Sequence, residues 1–237
     1  MTVPELTATY RNAYSRINAM VIVGEGLADR HFRLLADALP DDRQELERLA
    51  AMEGRHARDF VGCGRNLGIR PDLPLARRLF APLHGLFRQA IHAGDLVSAL
   101  VIQCLIIESF AVAAYRCYLP VADAEAVPIT QAVLGDEEEH LDYGERWLAA
   151  WYPEVAAPIT TCCERAVPVA MAMLHSLGDD LRAIGIDPTE LVVEFVGRFQ
   201  DALASIGFEP RQARGLVARL AGRVAGVQPA NEPVGVV

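Results

Sequence analysis

The chain carries one four-residue pattern twice, Glu53-x-x-His56 and Glu137-x-x-His140. Each copy follows a solitary glutamate in apolar surroundings, Glu25 in the first case and Glu108 in the second, at nearly matched spacing. Residues three apart on a helix share a face, so each pattern aims a carboxylate and an imidazole the same way. Two such pairs and two further glutamates make four carboxylates and two histidines. That is the donor set with which four-helix carboxylate proteins hold two iron or manganese ions. Four carboxylates neutralise two divalent cations, so the filled site suits a dry interior; without metal the carboxylates repel one another and some take up protons. A single E-x-x-H is common on helices, but two copies with matched upstream glutamates are hard to obtain by accident. The alternative for Glu108, an unpaired carboxylate inside LVIQCLIIESFAVAAY, is costly. Glu25, in VIVGEGLADR, has the softer alternative of an ordinary surface charge.

Four ligand-bearing helices must therefore meet at one point, and the rest of the chain agrees. It reads as helix after helix, with neither alternating strand patterns nor Gly-rich phosphate loops. Helices are expected at 8–39, ending before Pro40; at 42–67, capped by Asp41 or Asp42; at 74–93, closed by Gly94; and at 96–118, capped by Asp95. A fifth is expected from Pro120 to 150 with an interruption near Pro128, then a Pro168-kinked helix at 156–184 and two more at 188–205 and 210–224. The fold expected is all-α: a ferritin-like four-helix bundle core, with 74–93 as the crossover and additional C-terminal helices. No composition shift marks a linker, so residues 1–237 are read as one domain, with 225–237 as a disordered tail.

Composition narrows the function. Hydrophobic residues make up 52% of the 237, enough for a substantial core. The net charge of −9 leaves no basic surplus for phosphates, which argues against nucleic acid as a partner. Every basic residue is arginine, which reads as codon bias and carries no functional weight. Cys63, Cys104, Cys117, Cys162 and Cys163 form no C-x-x-C pair, and the N-terminal segment lacks the apolar core of a signal peptide; a reduced cytoplasmic protein is expected. Residues 96–115 are long and apolar enough for a membrane span, but Glu108 and Gln103 fall inside the stretch. A buried bundle helix explains it better, and no transmembrane span is expected.

Helical spacing places Ile17, Val21, Phe60 and Tyr115 beside the ligands, where they would line an apolar pocket suited to a hydrocarbon chain, or else simply pack the core. Asp136 is placed to orient a histidine ligand from behind, and Gln103 needs a partner inside its apolar helix. His31, His84, His92 and His175 stand outside the pattern and read as surface or core residues. Glu138 and Glu139 read as solvated or helix-pairing charges.

Several long segments, AYSRINAMVIVGEG, AMEGRHARDFVGCGRNL, LVIQCLIIESFAVAAYRCYLPVADA, DEEEHLDYGERWL and DALASIGFEPR, resemble the cyanobacterial aldehyde-deformylating oxygenases (aldehyde decarbonylases) over residues 10–210. The resemblance implies a ferritin-like di-iron enzyme that converts long-chain fatty aldehydes and O2 to alkanes one carbon shorter plus formate, with a ferredoxin-type electron donor. It carries the metal-ligand and catalytic roles onto Glu25, Glu53, His56, Glu108, Glu137 and His140, the same six residues. Substrate-channel positions fall on Ile17, Val21, Phe60, Phe110 and Tyr115, and Gln103 matches a polar residue near the site. Bridging carboxylates are expected to be Glu53 or Glu108. The sequence departs from the family's usual Glu-Tyr-x-His at Glu138. An oxygenase of another apolar substrate, by amine oxidation or hydroxylation, and an iron-storage protein are the competing readings. The expected assembly is a monomer or small oligomer.

Overall fold

The computed structural model describes residues 6–225, and among them every regular element is helical. The disordered tail expected over 225–237 lies, beyond Ala225, outside the described residues. Helix α1 (Ala8–Ala38) turns back through a short 3-10 turn at Pro40–Asp42 into α2 (Arg43–Asn66), and α3 (Leu73–Ala93) follows. A long rod comes next: α4 (Leu96–Leu100), a π-helical segment (Val101–Ile107) and α5 (Glu108–Tyr118). Helix α6 (Ala126–Ala150) completes the second pair. The C-terminal part comprises α7 (Ala156–Ser176), α8 (Gly178–Ala183), α9 (Pro188–Ile206) and α10 (Pro210–Ala225).

Local chemistry sets many of these ends. Thr7, Asp72, Asp95 and Asp187 accept backbone N–H groups at the starts of α1, α3, α4 and α9. Gly94, at φ 69°, closes α3 in the left-handed conformation that glycine adopts without strain. Asp42 makes no side-chain cap; its carboxylate accepts from the Tyr143 hydroxyl at 3.0 Å, tying the α1–α2 turn to α6. The fifth helix starts at Ala126 rather than Pro120. Asp123 accepts from the N–H groups of Glu125 and Ala126, and Pro128 falls in the first turn, where a missing N–H costs nothing. The helix expected over 156–184 passes unbroken through Pro168 but divides at Leu177 into α7 and α8.

Helices α1 and α2 pack along their lengths, α2 meets α6, and α6 lies against both α5 and the π segment. Helix α3 crosses over, packing on α1 and α7, while α8 covers α1, and α9 covers α5 and α6. The rod is the centre of the molecule. It is long and apolar enough to cross a membrane, yet 67% of its most apolar window is buried inside the protein, as in a soluble core helix. Val101, Leu105 and Ile106 join Phe32, Leu46, Leu49, Phe195 and Phe199 in the main core. Each such side chain stabilises the fold by about 1.5–3 kcal/mol, the margin against which buried polar groups must be set.

The approach of α6 to the π segment depends on Gly144, where a methyl group would overlap Cys104 Cβ. Gly144→Ala should therefore destabilise the protein by about 1–3 kcal/mol through overpacking, read as a lower urea midpoint at unchanged m-value. An unchanged midpoint would show that the two helices can part without cost.

Candidate metal centre

All four ligand-bearing helices converge as the sequence pattern requires. Glu25 projects from α1, Glu53 and His56 from α2, Glu108 from the first residue of α5, and Glu137 and His140 from α6; all six are buried. His56 Nδ1 lies 3.1 Å from Glu25 Oε2 and 3.5 Å from both Glu53 Oε2 and Glu137 Oε1. His140 Nδ1 lies 3.1 Å from Glu53 Oε1 and from Glu137 Oε2, and 3.9 Å from Glu108 Oε2.

Two overlapping groups result, Glu25–Glu53–His56–Glu137 and Glu53–Glu108–Glu137–His140, each with its ligand atoms within 4.8 Å of one another. Glu53 and Glu137 belong to both, and each turns one oxygen toward each histidine. The shared pair is thus Glu53 and Glu137. Glu108 serves one group only, because its Oε1 accepts a hydrogen bond from Gln103 Nε2 at 2.6 Å. Buried carboxylate and imidazole donors of this kind could hold metal ions, and the fit has a direct sign. Glu53 Oε1 and Glu137 Oε1 are buried and make no well-directed hydrogen bond, although they face His140 Nδ1 at 3.1 Å and His56 Nδ1 at 3.5 Å; a cation would satisfy them better.

The protonation pattern has the same origin. Burial, then the charges of Glu53 and Glu137, hold Glu25 well above the ordinary carboxylate range; burial, then Glu137 and Glu53, do the same to Glu108. Burial pulls both histidines down, but hydrogen bonds to glutamates outweigh it. His56 rises far above the usual imidazole range through Glu137, Glu25 and Glu53, and His140 is pushed up to about 10 by Glu137 and Glu53. Glu137, which burial alone would raise, is instead lowered by hydrogen bonds to His140 and His56.

The outer contacts differ between the histidines. His56 Nε2 meets Asp136 Oδ2 at 2.9 Å, and Arg55 holds the same carboxylate at 3.2 Å. His140 Nε2 is buried without a hydrogen-bond partner, and the Phe32 ring stands 5.4 Å from the His140 ring, centroid to centroid. Tyr115 donates its hydroxyl to Glu25, and its ring stacks on Phe60 at 5.3 Å. Glu138 and Glu139 turn outward, Glu138 to Arg116 at 3.9 Å and Glu139 to Arg48 at 2.5 Å, so the departure from an aromatic residue adds no charge to the buried cluster.

Beside the cluster lies a narrow apolar cavity of about 100 Å³. Glu25, Glu53, Glu108 and Glu137 reach its wall, and Ile17, Val21, Phe110 and Tyr115 line it. Phe60 is not in this wall; it lines a smaller neighbouring cavity shared with Ile17, Val21 and Tyr115. The far wall, which α7, α8 and the turn between them supply through Ala170, Met173, Leu174, Leu177 and Leu181, carries no functional motif in the sequence. Their apolar spacing of three and four was a visible signal of a buried face, but not of what that face covers.

Fold and site together define a ferritin-like helical bundle with a buried carboxylate–histidine centre opening on an oily cavity. The family model for long-chain fatty aldehyde decarbonylase matches residues 7–221, and the chain belongs to that family. It is also 57% identical to a solved structure, "Protein 19 with aldehyde deformylating oxidase activity" from Synechococcus; the match covers 92% of this chain and 100% of that one, with a TM-score of 0.90.

Two outcomes test this description of the centre. Metal uptake should release protons that the cluster holds, since ligands bind deprotonated and the shifts of Glu25, Glu108, His56 and His140 all run toward the protonated forms. Adding Co(II) to weakly buffered protein should acidify the solution, and apparent affinity should rise with pH by about tenfold per unit for each proton released. A pH-independent affinity would contradict the protonation pattern. Asp136→Ala removes the partner of His56 and should weaken metal binding by about 10–100-fold; chelator competition giving the wild-type constant would contradict the contact's role.

Proposed function

We infer that the protein is an enzyme that converts long-chain fatty aldehydes to alkanes one carbon shorter, releasing formate, with O2 as co-substrate and electrons from a ferredoxin-type donor. Membership of the decarbonylase family supports the substrate and reaction. The observation that carries the reading to this chain is the pairing of the buried cluster with an apolar cavity whose wall includes four of its carboxylates. Glu25, Glu53, His56, Glu108, Glu137 and His140 act as the ligands of two ions, iron in preference to manganese. Bound there, Fe(II) would supply oxygen activation and polarisation of the aldehyde carbonyl.

The chain's own residues supply the rest. Ile17, Val21 and Phe110 hold the alkyl chain by apolar contact, and the wall from α7 and α8 closes the cavity against water. The aldehyde carbon is thereby held at the carboxylate end, where position rather than free encounter sets its reactivity. Tyr115 keeps Glu25 oriented through its hydroxyl, and burial holds that hydroxyl's proton far more tightly than in an exposed tyrosine. Gln103 and Asp136 do the same for Glu108 and His56. An oily cavity of this kind favours a hydrocarbon substrate over iron storage. The chain is proposed to act as one domain, a monomer or small oligomer, in the cytoplasm, where its five free thiols stay reduced.

Anaerobic loading with Fe(II), followed by octadecanal, reductant and O2, should give formate and heptadecane in equal amounts. Iron binding and O2 uptake without either product would retain an oxygenase and discard the aldehyde reaction. Oxygen retained in an organic product without formate would point to hydroxylation or amine oxidation.

A further inference from the structure

Beyond the cluster, a line of polar side chains runs outward through an otherwise apolar core. Gln103 Nε2 is 2.6 Å from Glu108 Oε1, Gln103 Oε1 is 2.5 Å from His31 Nδ1, and His31 Nε2 is 2.8 Å from His84 Nδ1. Glu108, Gln103 and His31 are each at most 1% exposed, whereas His84 is part-exposed and lines a surface pocket with Arg30 and Arg77. His31 is clamped further by Phe87, whose ring stacks on it at 3.7 Å.

The π segment makes the inner link possible. On an α-helix residues five apart do not face each other, but in the π segment the backbone N–H of Glu108 donates to the carbonyl of Gln103. The same five-residue step brings their side chains together.

The direction of every bond follows from the inner end. A ligating carboxylate only accepts, so the Gln103 amide must turn its NH2 toward Glu108 and its oxygen toward His31. His31 must then carry its proton on Nδ1. Its bare Nε2 must accept from His84 Nδ1–H. Burial, with the charges of His84 and Arg30 acting the same way, lowers the His31 pKa to about 3, so the ring stays neutral at physiological pH. His84 is also lowered, by burial and then by Arg88 and Arg30.

We propose that His31, held between His84 and Phe87, is a positioning residue for the metal centre: it fixes the Gln103 amide so that Glu108 keeps Oε1 pinned and offers Oε2 to the cluster. This inference rests on the metal-ligand reading of Glu108. Without the Nδ1 donor, the Gln103 oxygen is buried and unpaired, and the amide turns or withdraws, releasing Glu108. The arrangement was invisible in the sequence, where His31 and His84 lack any motif.

The test compares His31→Leu, which fills the space beside Phe87 without a donor, with His31→Asn, whose side-chain NH2 takes the place of Nδ1–H. Co(II) titration with chelator competition on the full chain should show two ions per wild-type chain. One of them should be weakened about tenfold or more in His31→Leu, as for other lost outer contacts to ligands, and largely restored in His31→Asn. Histidine ¹⁵N spectra of the zinc-loaded wild type should show His31 protonated on Nδ1 alone. Wild-type affinity for both ions in a folded His31→Leu variant, equal loss in both variants, or an Nε2-protonated His31 would each overturn the proposal. A wild-type chain that takes up no pair of ions would instead overturn the metal reading beneath it.

Discussion

Burying four carboxylates and two imidazoles among Phe, Leu and Ile side chains is a constraint that every other part of the structure answers. Ionised groups in such a place are tolerated only when charge and hydrogen bonds compensate them. Here the compensation is concentrated. Glu137 stays ionised against two imidazoles, Glu25 and Glu108 hold protons more tightly than usual, and Glu25, His56 and Glu108 each have a partner outside the cluster. His140 Nε2 has no hydrogen-bond partner, and Glu53 Oε1 and Glu137 Oε1 make no well-directed hydrogen bond to the histidines they face. Those two oxygens belong to the carboxylates shared between the ligand groups, where two cations would do most to relieve the cost.

Backbone features serve the same centre. The π segment shifts the register of the rod so that Gln103 and Glu108 face each other, consistent with the tendency of π turns to occur at functional positions. Gly144 lets α6 close on that segment one turn beyond His140. Helices α7, α8 and α9, which add nothing to the ligand set, line the cavity beside it and supply the apolar wall that a hydrocarbon needs.

Much of this was legible in the sequence because it is local. An i, i+3 pair on a helix announces its face, and the burial of Glu108 was evident from the residues around it. The all-α bundle and the order of its ligand helices follow from the same periodicity. What was not legible depends on tertiary register. Glu137 rather than Glu108 is shared because Gln103 occupies a Glu108 oxygen, and that contact exists only through the π turn, which leaves no compositional mark. Phe60 stacks on Tyr115 and so lines the smaller cavity. Asp42 gave up its expected cap because Tyr143 comes from a distant helix to bond it. His31 and His84, far apart in the chain and without a motif, acquire meaning only once α1, α3 and the rod are packed.

Six residues forming two overlapping sites joined by Glu53 and Glu137 imply a specific arrangement of bound metal. Anomalous diffraction from crystals loaded with Mn(II) or Fe(II) tests it most directly. Two peaks are predicted, one within Glu25, Glu53, His56 and Glu137 and the other within Glu53, Glu108, Glu137 and His140. A single peak, or metal bound elsewhere with this cluster empty under saturating conditions, would contradict it.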